Sequence, residues 1–132
     1  MGNIDQVRNY TIDLDHELRI VKYRHAGNIS AEDIEAAWGD FLAKKEFTQL
    51  NYNLLSDYRD SVLHIPLSHL PEIIKFMRAI EHVVRGKKQA LILNDSYSVA
   101  GSTLFKDKVY KEIGFKVRIF ATEAAALDWL LE

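Results

Sequence analysis

The side chains best suited to chemistry follow three predicted strands, at the points where those strands end. Together they supply carboxylates, a guanidinium, an amide and hydroxyls, the groups that bind ions and polar ligands in proteins. They are Asp57, Arg59, Asp60, Ser61, Asn94, Ser96 and Thr122, hereafter the polar edge. The carboxyl ends of parallel strands meet at one edge of a sheet, where open α/β folds bind their ligands. Helix N-termini face the same edge, so we expect it to favour an anion.

A simpler interpretation of these hydroxyls stays open. Ser30, Ser68, Ser98 and Thr122 each lie near the start of a predicted helix. Serine or threonine at the N-cap satisfies free amides of the first turn. Capping alone would explain each of these four residues taken singly.

The sequence carries no motif of nucleotide, metal or hydrolytic chemistry. It has neither Gly-x-Gly-x-x-Gly nor a P-loop, no Gly-x-Ser-x-Gly elbow and no cysteine. His64 and His69 are five residues apart, a spacing that matches no established metal site. A phospho-receiver would need acids after the second strand and a lysine after the fifth, and neither is present. We therefore expect no cofactor, no metal and no enzymatic activity.

Composition and charge narrow the classes of partner. The chain has 132 residues and a formal net charge of −2, with 48% hydrophobic and 27% charged residues. That length predicts a single domain over residues 1–132, and the polar residues 1–9 predict a loose N-terminus. The sequence has no concentrated basic face for nucleic acid and no run of ~20 apolar residues to span a membrane. It shows no signal peptide, so we expect a cytoplasmic protein.

Hydrophobic periodicity predicts the elements that must position the polar edge. Strands are predicted at 10–14, 18–25, 52–57, 89–93 and 116–120, with a long loop at 58–67. Helices are predicted from Ala31 onwards, at 68–85, up to Ile113 and at 123–131. The first two strands form an antiparallel hairpin, and Gly27 is expected to break the second. The order β-β-α-β-α-β-α-β-α implies a five-stranded, mixed but mostly parallel sheet with helices on both faces.

Three large apolar residues are left over once each predicted helix directs one stripe to the sheet. Phe76 and Val83 widen the stripe of the second helix, and Trp129 lies on the other apolar side of the last helix. Aromatic anchors are enriched in interface cores, so these residues predict the face of a homodimer. The competing interpretation is that neighbouring helices of the same chain cover them.

The order of elements and three short motifs resemble the STAS fold, and within it the SpoIIAA-like group of small bacterial domains. Residues 27–33, GNISAED, resemble the start of that group's first helix, and residues 54–57, LLSD, resemble its third strand ending in Asp. Residues 117–130, VRIFATEAAALDWL, resemble its ending, where a strand reaches Phe and a capped helix closes on Trp-Leu. The resemblance covers most of the chain.

The resemblance implies a non-enzymatic regulatory or protein-interaction module, acting through the loop after the third strand or through a dimer face. The alternative is a carrier of a small or lipid-like ligand, with an apolar pocket beside the second helix. In some relatives a serine or threonine after the third strand is phosphorylated to switch partner binding. Here Ser61 or Ser68 would take that role, but neither has the glycine that often follows it. Asp60 would also repel a phosphate on Ser61.

Overall fold

A five-stranded sheet organises the described residues, 9–132 of a computed structural model. The strands are β1 (Tyr10–Asp15), β2 (Ile20–Ile29), β3 (Asn53–Leu63), β4 (Lys88–Ile92) and β5 (Lys116–Phe120). They lie side by side in chain order. Strand β1 pairs antiparallel with β2, and every later neighbour pairs in parallel. The mixed, mostly parallel sheet predicted from the sequence is therefore confirmed.

Helices cover both faces of the sheet, as predicted. They are α1 (Ala31–Leu42), α2 (Lys45–Thr48), α3 (Leu70–Ala79), α4 (Glu81–Val84), α5 (Ser96–Ile113) and α6 (Glu123–Leu130). Right-handed crossovers between parallel strands laid in chain order place all connecting helices on one face. Helices α1 to α5 pack on that face, and α6, which follows the last strand, packs on the other.

Two hydrophobic clusters hold these layers together, one on each face of the sheet. Side chains alternate along a strand, so in β3 Leu54 packs in the larger cluster and Leu55 in the smaller. Trp129 of α6 lies in the smaller cluster, 8% exposed. Phe76 and Val83 are partly buried against the larger cluster. The chain's own packing thus covers much of all three residues, and the dimer face assigned to them stays a prediction.

The prediction of a loop at 58–67 is wrong for residues 58–63, because β3 continues to Leu63. The prediction that the second strand ends at Gly27 is also wrong, since β2 continues to Ile29. Residues 26–29 pair in parallel with residues 60–63 after a register shift between Arg24 and Ala26. This pairing satisfies backbone groups that a loop would leave to solvent. Gly27 has a φ of 88°, which glycine adopts without steric cost.

The single helix expected at 68–85 is divided into three pieces. A 3-10 turn, Leu67–His69, leads into α3, and α3 stops before Ile80, whose φ of −111° and ψ of 20° are not helical. The short helix α4 follows. Helix α5 ends at Ile113 as expected, with Gly114 as a left-handed C-cap at φ 84°.

The loose N-terminus expected at residues 1–9 lies outside the described residues, apart from Asn9. The carbonyl oxygen of Asn9 accepts a hydrogen bond from the Ala26 amide at 2.9 Å. Within residues 9–132, no helix is long and apolar enough to cross a membrane.

Candidate functional site

A cavity of about 510 Å³ lies between the α1–α5 layer and the sheet, beside α3 and the first half of α5. This volume falls within the ~300–1,000 Å³ typical of small-molecule pockets. Most of the lining side chains are apolar. They include Trp38, Leu63, Leu70, Met77, Leu91 and Phe105.

Small residues on α5 leave the space that forms the cavity. Ala100, Gly101 and Ser102 line it consecutively, where bulkier side chains would close the gap between α5 and α3. A Cβ atom added at Gly101 would meet no heavy atom within 4 Å. These residues were not predicted from the sequence, although three small residues in a row inside a helix are a signal of such a gap.

The cavity reaches solvent beside three apolar side chains. Leu67, Tyr97 and Leu104 line it and are 61%, 64% and 48% exposed. Exposed apolar groups gathered at one place typically mark a binding site rather than ordinary surface. We name these three residues the rim.

Polar groups lie where the sheet forms the base of the cavity. Gln89 of β4 is 3% exposed, and its Nε2 donates a hydrogen bond to Ser56 Oγ at 3.0 Å. Its Oε1 has no hydrogen-bond partner among the described residues. The pattern of residues 89–93 predicted an apolar strand, so the sequence did not predict a polar group at this position. The available signal was an amide at the start of a strand that is otherwise apolar.

A line of buried hydrogen bonds continues from Ser56 along the same face. The Ser56 hydroxyl bonds to the Tyr58 phenol, which bonds to Tyr23, and the Tyr23 hydroxyl bonds to Nδ1 of His25. Burial raises the pKa of both tyrosines. Burial lowers the pKa of His25, although the charge of Asp33 opposes this. All these groups are therefore neutral near neutral pH.

Part of the polar edge comes together on the opposite face, beside α6. Arg59 Nε and Nη2 donate to the Asp57 carboxylate at 3.0 and 2.7 Å, and Nη2 lies 3.4 Å from Glu123 Oε1. Asn94 Nδ2 donates to the carbonyl oxygen of Arg59 at 2.9 Å. The guanidinium of Arg59 is thus already bonded within the chain.

Asp57 is a buried carboxylate held ionised by its neighbour. Burial raises its pKa, but the hydrogen bonds and the charge of Arg59 outweigh burial, so the pKa lies below its usual value. The two groups compensate each other's charge, an arrangement typical of a structural ion pair. Binding of a ligand or partner at Asp57 and Arg59 stays a prediction.

Two other members of the polar edge, Ser61 and Asp60, bond to partners outside this pair. Ser61 is 9% exposed, and its Oγ donates to the His25 carbonyl oxygen at 2.6 Å. Asp60 pairs with Arg24 at 2.6 Å on the surface. A phosphate on Ser61 would have to break a buried hydrogen bond as well as face Asp60.

Helix capping explains two of the hydroxyls named from the sequence. Ser30 caps α1, and Thr122 caps α6 by accepting from the Ala125 amide at 3.2 Å. Ser98 does not cap α5, because Asp95 occupies the N-cap and accepts from the Ser98 amide at 2.8 Å. Ser96 is exposed in the first turn of α5.

Ser68 does not cap a helix. It lies in the 3-10 turn, and the N-cap of α3 is His69, which makes no side-chain cap bond. Across residues 9–132, no three histidine, aspartate or glutamate side chains gather closely enough to hold a metal ion.

Comparison with known proteins identifies the fold. No protein-family model and no curated protein matches the sequence. An uncharacterised protein of the DUF3478 family from Shewanella loihica PV-4, with a SpoIIAA-like fold, matches with a TM-score of 0.59 and 14% identity over 94% of this chain and 95% of that chain. This chain has a SpoIIAA-like fold. The anti-sigma factor antagonist SpoIIAA, in its unphosphorylated form, matches with a TM-score of 0.52 and 17% identity over 92% of this chain and 96% of that chain.

Two candidate sites therefore lie on opposite faces of this SpoIIAA-like sheet. The cavity and its rim lie on the α1–α5 face, and the pair of Asp57 and Arg59 lies on the α6 face. The cavity has unfilled volume, whereas the ion pair is internally satisfied. The cavity is the better candidate for a ligand site.

Proposed function

We propose that this SpoIIAA-like domain is a non-enzymatic binding module that holds a small apolar ligand in the cavity beside α3 and α5. The observation that carries the proposal is the cavity, with its volume of about 510 Å³ and its largely apolar lining. Small-molecule sites are typically concave, mostly apolar and of this size, so the cavity favours an occupant. Of the hypotheses made from the sequence, the ligand carrier agrees best with this cavity, because it expected an apolar pocket beside the second helix.

The lining supports binding rather than catalysis. Among the described residues, it contains no carboxylate, ammonium, guanidinium or imidazole group, so the commonest general acids and bases are missing from it. The rim gives an apolar ligand a path from solvent to the interior. Burial of apolar surface would supply the affinity, at roughly 25 cal/mol per Å² removed from water.

Tryptophan fluorescence tests the proposal directly, since the chain has only two tryptophans. Trp38 lines the cavity and Trp129 lies in the cluster on the other face. Decyl bromide, whose bromine quenches tryptophan at contact, should quench a Trp129→Phe protein saturably and leave a Trp38→Phe protein unquenched. Equal quenching of both proteins, or of neither, would contradict the proposal.

A blocking variant gives a second readout. Gly101→Phe should fill the cavity and weaken decyl bromide binding about tenfold or more, since a buried aromatic ring occupies the ligand's volume. Gly39→Phe is the matched control, because Gly39 is also helical and open around its Cβ position but does not line the cavity. Unchanged affinity in Gly101→Phe would contradict the site.

A regulatory role through a protein partner is the second candidate. The support for it is the likeness to SpoIIAA, which is named as an anti-sigma factor antagonist. Native mass spectrometry of the protein purified from its own host separates the two roles. A bound small molecule supports the ligand site, and a stoichiometric partner chain supports the interaction module.

A further inference from the structure

A groove of about 350 Å³ follows the free side of β5, the last strand of the sheet. Residues of α5, Tyr110 among them, border it on one face of the sheet, and Trp129 of α6 borders it on the other. Strand β5 itself contributes three consecutive residues, 116–118. The groove therefore lies across the end of the sheet, and we name it the β5 groove.

The backbone of β5 offers unpaired hydrogen-bonding groups to this groove. The amide of Lys116 and the carbonyl oxygen of Phe120 bond to backbone groups at the two ends of β4, at 3.0 and 3.1 Å. Backbone groups alternate sides along a strand, so those of Val117 and Ile119 point away from β4. Among residues 9–132, no strand pairs with that side of β5. A strand left open in this way is a template for a further strand.

The side chains of the β5 groove carry positive charge that the described residues do not neutralise. Lys116 and Arg118 are exposed, and neither forms an ion pair within that part of the chain. The guanidinium of Arg118 lies 5.4 Å from the centre of the Trp129 ring, on the α6 face, and Lys116 shares that face by strand alternation. The other two charged residues of the groove, Lys106 and Asp107, pair with each other at 2.8 Å.

The open backbone and the two cations together select the occupant. Like charges two residues apart on β5 repel a second copy of the same strand, but they attract a strand that carries carboxylates. A nucleic acid would neutralise the cations, yet it has no peptide N–H and C=O groups to pair with the open strand. The side chain between two such carboxylates would point to the α5 face, where Tyr110 is 60% exposed, so an apolar residue fits there.

We propose that the β5 groove binds an extended, acidic segment of a partner protein by strand addition. Two carboxylates of the segment, two residues apart, pair with Lys116 and Arg118, and the apolar residue between them packs against Tyr110. This surface goes beyond the proposed ligand site, because the groove and the cavity share no lining residue.

Fluorescence anisotropy with an end-capped peptide that carries a neutral dye, Thr-Val-Asp-Val-Glu-Val-Thr, tests the proposal. The peptide should bind saturably. Two further peptides are N-methylated, one at the three valines and the other at the aspartate and the glutamate. One of these should lose binding and the other should keep it, because only alternate amides of an added strand face its neighbour. Absence of saturable binding, or equal binding by the two methylated peptides, would overturn the proposal.

Charge reversal tests the two cations. Lys116→Glu/Arg118→Glu should weaken peptide binding about tenfold or more, since two attractive charge pairs become repulsive. Lys45→Glu/Lys75→Glu is the matched control, because it changes the net charge equally at exposed lysines outside the groove, and it should keep the affinity. An equal loss in both proteins would overturn the proposal. Circular dichroism checks folding, and Lys116→Glu alone replaces the double variant if that variant does not fold.

A dye-labelled single-stranded oligothymidine of similar length is the probe for nucleic acid. It should bind more weakly than the peptide. Tighter binding of the oligothymidine, lost in Lys116→Glu/Arg118→Glu, would assign the groove to nucleic acid and overturn the proposal. Since none of these measurements involves the cavity, failure of the strand-addition proposal would leave the proposed ligand site standing.

Discussion

Two neighbouring polar residues on the α1–α5 face show how burial decides chemistry at the residue scale. Gln89 has a buried amide oxygen with no hydrogen-bond partner among the described residues, whereas the ammonium group of Lys87, which is 2% exposed, has partners. Lys87 Nζ donates to the Tyr52 carbonyl oxygen at 3.0 Å and lies 4.6 Å from the centre of the Phe47 ring. Burial lowers the pKa of Lys87 from 10.5 to about 8. Burial is the cause of this lowered pKa, and no negative charge among the described residues counteracts it.

Lys87 should make the stability of the protein rise with pH in the alkaline range. Between about pH 8 and pH 10 the unfolded chain binds more protons at this lysine than the folded chain, so the free energy of unfolding increases. The contribution should be about 2 kcal/mol over that interval. Urea denaturation of Lys87→Met at both pH values should show that the increase is lost.

Lys45→Met, at an exposed lysine, is the control and should behave like the unsubstituted protein. An identical pH dependence in the Lys87→Met protein would show that Lys87 titrates normally.

At the element scale, the best-supported local structure is the start of α1. Ser30 Oγ accepts from the Asp33 amide at 3.3 Å, and Asp33 Oδ2 accepts from the Ser30 amide at 2.8 Å, forming a capping box. The sequence predicted this cap because all its atoms lie within four residues. Helix α1 carries Trp38 into the cavity lining, so this local motif supports the site.

Removing the cap should destabilise the fold without abolishing it. Ser30→Ala should lower the free energy of unfolding by about 1 kcal/mol, since an amide of the first turn loses its acceptor. The measurement is chemical denaturation. Ser96→Ala, at an exposed serine that is not the N-cap of its helix, should change stability by less than about 0.5 kcal/mol. Equal effects of the two substitutions would contradict the role of the cap.

The extension of β3 is an element-scale feature that periodicity did not predict. Residues 58–63 read as a polar loop because Asp60 and Arg59 interrupt the apolar pattern. They form a strand because residues 26–29 of β2 offer a parallel partner. The gain comes from backbone pairing with a distant segment, which a local pattern does not encode.

At the scale of the whole molecule, the prediction is that two copies of the chain associate. The predicted homodimer should give twice the chain mass of 15.2 kDa by size-exclusion chromatography with light scattering. Dissociation on dilution would agree with a homodimer, and a mass of one chain at high concentration would contradict it. Because Trp129 is already packed in the smaller cluster, Phe76→Ser or Val83→Ser is the substitution suited to testing the predicted face.

The amino-acid sequence by itself determined the order of the strands and of the four longest helices, the mixed sheet, the cap at Ser30 and the end of α5 before Gly114. These features depend on periodicity and on side chains a few residues apart. It also named Asp57 and Arg59 together at the polar edge, although it placed Arg59 in a loop and not in the same strand.

Only the tertiary structure decided which site has room for a ligand. The cavity exists because small residues on α5 meet large ones on α3 and α1 across a gap, and Gln89 joins it through β4. The same structure paired Arg59 with Asp57, although the side chain of Arg59 stays 33% exposed. The volume left by packing and the pairing of buried polar groups depend on residues distant in the chain. Local sequence patterns therefore predicted the strands and helices but not the cavity.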